Sequence, residues 1–208
     1  MTRRPYIKIC GITNKNDALF AAQLKVWALG FVFADSPRRV SKETVRDIVD
    51  ALPADIMTVG VFVNEKRDVI QDIVEECGLT IAQLHGQESP AFCDTIAEFA
   101  KTMKAFHIRD TDSLKGIDRY RVDFYLLDAY SETAAGGTGR TCDWQLARTA
   151  KARVSTLVLS GGLNPDNILD AVKAVEPYAV DVSSGVEASP GKKDKALLEK
   201  FVLNVRGV

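Results

Sequence analysis

Tyr6-Ile7-Lys8-Ile9-Cys10 is a short apolar, β-branched run closed at once by Gly11, and runs of the same kind recur along the chain. Ala28 to Phe33, Thr58 to Val63, Ile81 to Leu84, Lys104 to His107, Phe124 to Asp128, Thr156 to Ser160 and Ala179 to Val182 bring the set to eight. Their starts fall about 20 to 32 residues apart. Most intervals carry apolar residues at helical spacing, as in Val45, Ile48, Val49 and Leu52, or Val69, Ile70, Ile73 and Val74. This strand-helix rhythm predicts an α/β fold in which eight parallel strands close into a (β/α)8 TIM barrel, one domain over residues 1–208, near the lower end of that fold's usual size. An open doubly wound sheet is the rival the same rhythm allows.

Local signals agree with repeated βα units. Ser41 opens a helix with Thr44 three places on, Asn164-Pro165 sets proline in a first turn, and Gly78 stops the helix that ends Glu75-Glu76-Cys77. The interval from Ile108 to Val122 has weak periodicity and predicts a short helix or a loop.

The 27 basic and 28 acidic side chains give a formal net charge of -1, which leaves no overall field to gather nucleic acid or an anionic membrane. An anionic ligand has to be held locally. Cys10, Cys77, Cys93 and Cys142 form no C-x-x-C pair, and only His85 and His107 could join them, so a structural zinc is not expected. The stretch Met1 to Lys8 has basic residues without an apolar h-region, and the chain reads as cytoplasmic with reduced thiols. No apolar run nears the roughly 18 residues needed to span a bilayer.

In a barrel, the motifs of this chain fall at the C-terminal ends of strands, where βα loops build active sites. Cys10 ends the first strand, with Lys8 two residues before it on the same face and Gly11 open to close approach of a ligand. A free thiol with a pKa of about 8.5 is only slightly ionised at neutral pH, so a base role for Cys10 needs a neighbouring cation or dipole. Cys77, Cys93 and Cys142 read as packing residues. Asp128 follows four apolar or aromatic residues. An apolar surround would raise its pKa and suit it to general acid work, whereas a helix cap or structural ion pair is the plainer alternative.

Ser160-Gly161-Gly162 and Asp181-Val182-Ser183-Ser184-Gly185 follow the seventh and eighth strands, where backbone N–H groups can hold a phosphate. Gly136-Gly137-Thr138-Gly139 reads as a lid or a further source of phosphate-facing amides. Ser36-Pro37-Arg38-Arg39 offers a guanidinium for a carboxylate. His85, in Gln83-Leu84-His85-Gly86, reads as a supporting hydrogen-bond partner more readily than as a metal ligand.

These motifs together resemble the phosphoribosylanthranilate isomerase family of tryptophan biosynthesis. The resemblance covers nearly the whole chain, through Lys8-Ile9-Cys10-Gly11-Ile12-Thr13, Leu29-Gly30-Phe31-Val32-Phe33, Ser36-Pro37-Arg38, Val59-Gly60-Val61-Phe62-Val63, Gln83-Leu84-His85-Gly86 and Leu127-Asp128. Gly136-Gly137-Thr138-Gly139, Leu159-Ser160-Gly161-Gly162-Leu163 and Val180 to Glu187 extend it in order.

The resemblance implies a (β/α)8 barrel and an Amadori rearrangement that needs no cofactor or metal. It implies Asp128 as general acid, Cys10 as general base, Arg38 as partner of the anthranilate carboxylate and Asp181 as a polar contact near the reacting amine. Gly161, Gly162, Ser183 and Ser184 become the phosphate cradle, with Gly137 a further substrate contact. The partner expected is a small phosphorylated molecule, with neither nucleic acid nor membrane, for a chain acting as monomer or homodimer.

Three departures stand out. Lys25-Val26-Trp27 replaces the family's usual Gly-Ala-Asp, so helix 1 should end differently. Arg140 and Cys142 replace a usual Lys and Phe. The loop at Ala34-Asp35-Ser36 is one residue short, which leaves Arg39 as an alternative to Arg38. Two other functions compete: the related sugar isomerase of histidine biosynthesis, expected to use two aspartates and a larger substrate, and a non-catalytic barrel that binds a phosphorylated metabolite.

Overall fold

Eight parallel strands close into a barrel in strict chain order in the computed structural model, which describes residues 4–129 and 144–207. The strands are β1 (Tyr6–Cys10), β2 (Ala28–Val32), β3 (Met57–Phe62), β4 (Ile81–Leu84), β5 (Lys101–Ile108), β6 (Phe124–Ala129), β7 (Leu157–Ser160) and β8 (Ala179–Val182). The barrel shuts where β1 pairs with β8, with Lys8 opposite Asp181. Around it lie α1 (Lys15–Gln23), α2 (Lys42–Val49), α3 (Arg67–Cys77), α4 (Pro90–Ile96), α5 (Trp144–Lys151), α6 (Ile168–Val175) and α7 (Lys195–Arg206). A small hairpin, β9 (Glu187–Ser189) with β10 (Lys192–Lys193), stands between β8 and α7. The open doubly wound sheet is thereby excluded.

The weak interval holds no α-helix, only the single 3-10 turns Asp112–Leu114 and Ile117–Arg119. β5 is longer than the predicted run because Lys101, Thr102, Met103 and Ile108 join it. Lys101 and Thr102 pair with Ile81 and Ala82, and the Asp123 carboxylate accepts the Thr102 amide at 2.8 Å. Ser41 caps α2 by accepting from the Thr44 amide, and Gly78 ends α3 at φ +62°. Pro165 falls in a turn ahead of α6, where the Asn164 carbonyl already accepts the Ile168 amide at 3.1 Å.

Alternation along each strand separates two apolar cores. Outward residues such as Ile9, Leu29, Leu127, Leu159 and Val180 pack under the helices. Ala28, Val59, Ile81, Met103, Phe124, Leu126 and Val158 form a second cluster, the fill of the barrel itself. At its foot Trp27 meets Phe124 with ring centroids 5.2 Å apart, Tyr6 at 5.8 Å and Tyr178 at 6.1 Å. Trp27 is therefore a plug of the barrel bottom, as a core contact would be. Toward the other end the fill turns polar, with Lys8, Gln83 and Asp181 buried.

Helix 1 does end differently from a glycine-capped helix. Lys25 takes the left-handed position itself, at φ +51°, and its amide donates to the Ala22 carbonyl at 2.8 Å. A side chain with a Cβ is strained there. The left-handed position costs an L-residue about 1–2 kcal/mol, more than the roughly 0.5–1 kcal/mol of backbone entropy that glycine forfeits, so Lys25→Gly should stabilise the fold by about 0.5–1 kcal/mol, read as a higher denaturant midpoint at unchanged slope.

Candidate active site

A cleft of about 370 Å³ opens over the polar end of the barrel and is lined by Cys10, Arg38, Asp128, Gly161, Gly162, Asp181, Ser183 and Ser184. Eight of the nine residues singled out from sequence thus meet in one place. The ninth, Gly137, lies outside the described residues, as do Arg140 and Cys142. Arg39 is exposed and borders a separate cleft of about 250 Å³ beside α2 and α3, so the carboxylate candidate within the main cleft is Arg38.

Buried charge organises the floor of the cleft. Lys8 Nζ lies 2.9 Å from Asp181 Oδ1, with the amine fully buried. Burial draws the Lys8 pKa down, but Asp181 and Cys10 together leave it raised. Gly30, on β2, makes room for this arrangement. A Cβ there would come within 2.9 Å of Cys10 Sγ and 3.2 Å of Lys8 Nζ. Sequence reading assigned Gly30 no role, although glycine inside a strand often marks such an approach.

The cation that a base role requires is present, but it does not win. Burial pushes the Cys10 thiol up, Lys8 and Lys193 pull it down, and the balance remains raised. Burial also raises the pKa of the other described thiols, Cys93 to about 11.

Asp128 does not stand in an apolar surround. Its Oδ2 is 3.1 Å from His85 Nε2 and 3.7 Å from His107 Nδ1. Gln83 Nε2 lies 2.8 Å from His85 Nδ1, and an amide N–H donated there leaves the ring proton on Nε2, facing Asp128. The loop carrying His85 is pinned from below. Lys104 Nζ donates to the Leu84, Gly86 and Ala105 carbonyls and sits 3.1 Å from Glu88. The Glu88 carboxylate in turn accepts the Asn64 and Gly86 amides.

Arg38 is held in position from behind. Its Nε and Nη2 donate to the Glu187 carboxylate at 2.9 and 2.6 Å, while Lys193 Nζ reaches the same carboxylate at 2.8 Å and the Ser183 carbonyl at 3.2 Å. Burial opposes ionisation of Glu187, yet its two cationic partners keep its pKa lowered. Gly11 makes room for this arrangement. A Cβ on it would meet the Arg38 side chain at 2.6 Å and Ser183 Oγ at 3.0 Å.

Sequence reading missed Glu187 and Lys193 as supports, since they come from the hairpin after β8 and meet Arg38 only in the folded chain. It also missed His107, which the β5–β6 register sets opposite Asp128.

The glycine-rich loops close the far side. Gly161 and Gly162 take φ +90° and +65°, conformations that favour glycine, and Asn167 Nδ2 fixes the Gly162 carbonyl at 2.9 Å. Gly185 is required for another reason, because a Cβ would fall on the Leu163 carbonyl. The two loops therefore pack directly on each other. Such backbone-rich loops, followed by a helix start, are suited to an anion.

Comparison with known proteins places this geometry in context. A family model described as N-(5'phosphoribosyl)anthranilate (PRA) isomerase matches residues 7–204. The N-(5'-phosphoribosyl)anthranilate isomerase of Geobacter sulfurreducens is 49% identical, over 97% of this chain and 98% of its own. The crystal structure of phosphoribosyl anthranilate isomerase from Thermotoga maritima aligns with a TM-score of 0.93 at 43% identity, covering 98% of this chain and all (100%) of that one. A phosphoribosyl anthranilate isomerase solved with reduced 1-(o-carboxyphenylamino)-1-deoxyribulose 5-phosphate aligns at 0.89 and 41% identity, again over 98% and 100%.

The charge balance around Cys10 makes one measurable statement about the free protein. Thiolate absorbance attributable to Cys10, taken as wild type minus Cys10→Ala, should appear only above the usual thiol range as pH rises. A transition below that range would mean that Lys8 outweighs burial.

Proposed function

The chain belongs to the N-(5'-phosphoribosyl)anthranilate isomerase family, and from that premise we propose that it converts N-(5-phosphoribosyl)anthranilate to 1-(2-carboxyphenylamino)-1-deoxyribulose 5-phosphate in L-tryptophan biosynthesis, with Asp128 as general acid and Cys10 as general base. The observation that carries the assignment of roles is the single cleft in which a carboxyl and a thiol share space with a guanidinium and two glycine-rich loops.

Asp128 delivers a proton to the furanose ring oxygen as the C1–O bond breaks, and the nitrogen lone pair forms the C1=N Schiff base. The Cys10 thiolate then takes the C2 proton, and the C2–H bonding pair flows into the iminium to give the enolamine. In the tautomerisation C1 takes back a proton, as the Cys10 thiol can supply, the enol O–H gives up its proton, as the Asp128 carboxylate can accept, and the C2 ketone is left with acid and base restored. Hydrogen and bonding electrons are redistributed within one molecule, so the rearrangement needs no external oxidant or reductant.

Each local contact has a use in this scheme. His85 holds the Asp128 carboxyl at Oδ2, which restricts where its proton can be delivered. The substrate's iminium adds its positive charge to that of Lys8 and Lys193, which alone do not outweigh burial, and so ionises the thiol at the step that needs a base. Arg38, already bonded to Glu187 through Nε and Nη2, keeps the Nη1 side for the anthranilate carboxylate. Asp181, paired with Lys8 and 3.4 Å from Ser160 Oγ, contributes a polar contact near the amine. Gly161, Gly162, Ser183 and Ser184 surround the 5-phosphate.

The reaction fits a cytoplasmic, small-molecule enzyme. Among the described residues no helix is long and apolar enough to cross a membrane.

Fluorescence of phosphoribosylanthranilate generated in situ should fall rapidly with the purified protein. Asp128→Asn should lower kcat by several powers of ten while retaining affinity for the reduced product analogue; a rate near wild type would remove Asp128 from the acid role. Cys10→Ser should likewise lose turnover and keep binding. If it stays active and only unfolds more easily, the thiol is a packing residue. Tight analogue binding by a wild-type protein that gives no turnover would instead favour the non-catalytic barrel.

A further inference from the structure

Both histidines of the chain converge on one carboxylate. His85 follows β4, His107 lies on β5 and Asp128 on β6, and one ligand atom from each lies within 4.8 Å of the other two. All three side chains are partly open to solvent, so a hydrated ion can reach them. Two imidazoles and one carboxylate suit a borderline divalent transition ion such as zinc, with a coordination position left for water, whereas magnesium and calcium favour all-oxygen sites.

The residue behind His85 adds independent support. A metal-bound imidazole ordinarily donates its other ring N–H to an acceptor. Gln83 is 1% exposed, lies 2.8 Å from His85 Nδ1 through its amide, and has an Oε1 with no hydrogen-bond partner among the described residues. Turning the amide over sets that oxygen against an Nδ1–H and leaves the Nε2 lone pair directed at the space beside Asp128. Among the described residues the amide makes no other hydrogen bond to lose in the exchange. Gln83 can therefore serve either tautomer of His85.

We propose that His85, His107 and Asp128 form a binding site for a divalent transition ion of the zinc class, and that its occupation inhibits the enzyme. The inhibitory part rests on the reading of Asp128 as general acid: a coordinated carboxylate carries no proton to deliver. His107 is not among the residues lining the substrate cleft, so it separates the two functions.

The test titrates chelator-treated protein with Zn2+ by calorimetry and with Co2+ by visible absorption, and follows turnover in parallel. The wild type should bind one ion per chain saturably and lose activity along the same curve. His107→Asn, judged against its own metal-free rate because His107 Nδ1 stands 3.7 Å from Asp128, should bind at least about tenfold more weakly and resist inhibition. Cys10→Ser should bind as the wild type does, because the thiol is not a ligand.

Absence of saturable binding below millimolar ion, or equal binding by His107→Asn, overturns the site. Binding that depends on His107 but leaves turnover intact overturns the inhibition. A protein that binds the ion in this way yet never consumes phosphoribosylanthranilate, with or without chelator, refutes the assigned activity and the inhibition together, and leaves the ion site standing.

Discussion

The buried ion pair between Lys8 and Asp181 is the constraint on which the rest of the site depends. These residues are register partners at the seam where β8 meets β1, so the pair sits where the barrel closes on itself. An ammonium with no exposure must keep its counter-ion, and removing one partner of such a pair typically costs about 3–5 kcal/mol. Desolvation of both charges offsets much of the attraction between them, so such a pair adds little net stability. Lys8 has its counter-ion only when β8 lies beside β1 in this register, and the same register sets Cys10 over the amine and Asp181 under the cleft.

A second chain of charge, from Lys193 through Glu187 to Arg38, does for the cleft wall what the first does for its floor. The hairpin after β8 supplies two of the three members, and it is tied to α1 as well, since the Asp17 carboxylate accepts the Lys193 amide at 2.8 Å. Lys193 also reaches the Cys10 and Ser183 carbonyls. One amine thus joins the loops after β1 and β8 and sets the carboxylate that orients Arg38. Burial and Glu187 act on it in opposite senses, with burial the stronger, so its pKa is lowered. The guanidinium is pre-organised before any ligand arrives, which lowers the ordering cost of binding.

Much of the fold was legible because parallel barrel strands are short, apolar and evenly spaced, and eight such runs leave few ways to bury both faces. The runs at Tyr6, Ile81 and Ala179 match their strands residue for residue. β5 did not, because Lys101 and Thr102 join it through a neighbouring edge and an Asp123 hydrogen bond, neither of which leaves an apolar signature. At the cleft, residues at strand ends or in glycine-rich runs could be found by position. Glu187, Lys193 and His107 could not, since a charged or imidazole side chain in isolation reads as a solvated surface group.

By itself the sequence determined the order of the eight barrel strands and the barrel class, because periodicity is a local property of the chain, while its motifs carried the resemblance to the family and strand-end position marked eight of the residues that line the cleft. Only the tertiary structure decided how those groups act on one another. Whether Lys8 would overcome the burial of Cys10 depended on the balance of desolvation against charge across strands. Whether Asp128 would sit among apolar groups or between two imidazoles depended on the stagger of β4, β5 and β6. Gly11 and Gly30 serve different neighbours, since one admits Arg38 and the other admits Cys10 and Lys8. Such distinctions arise from contacts between residues distant in sequence, and they exist only once the barrel has closed.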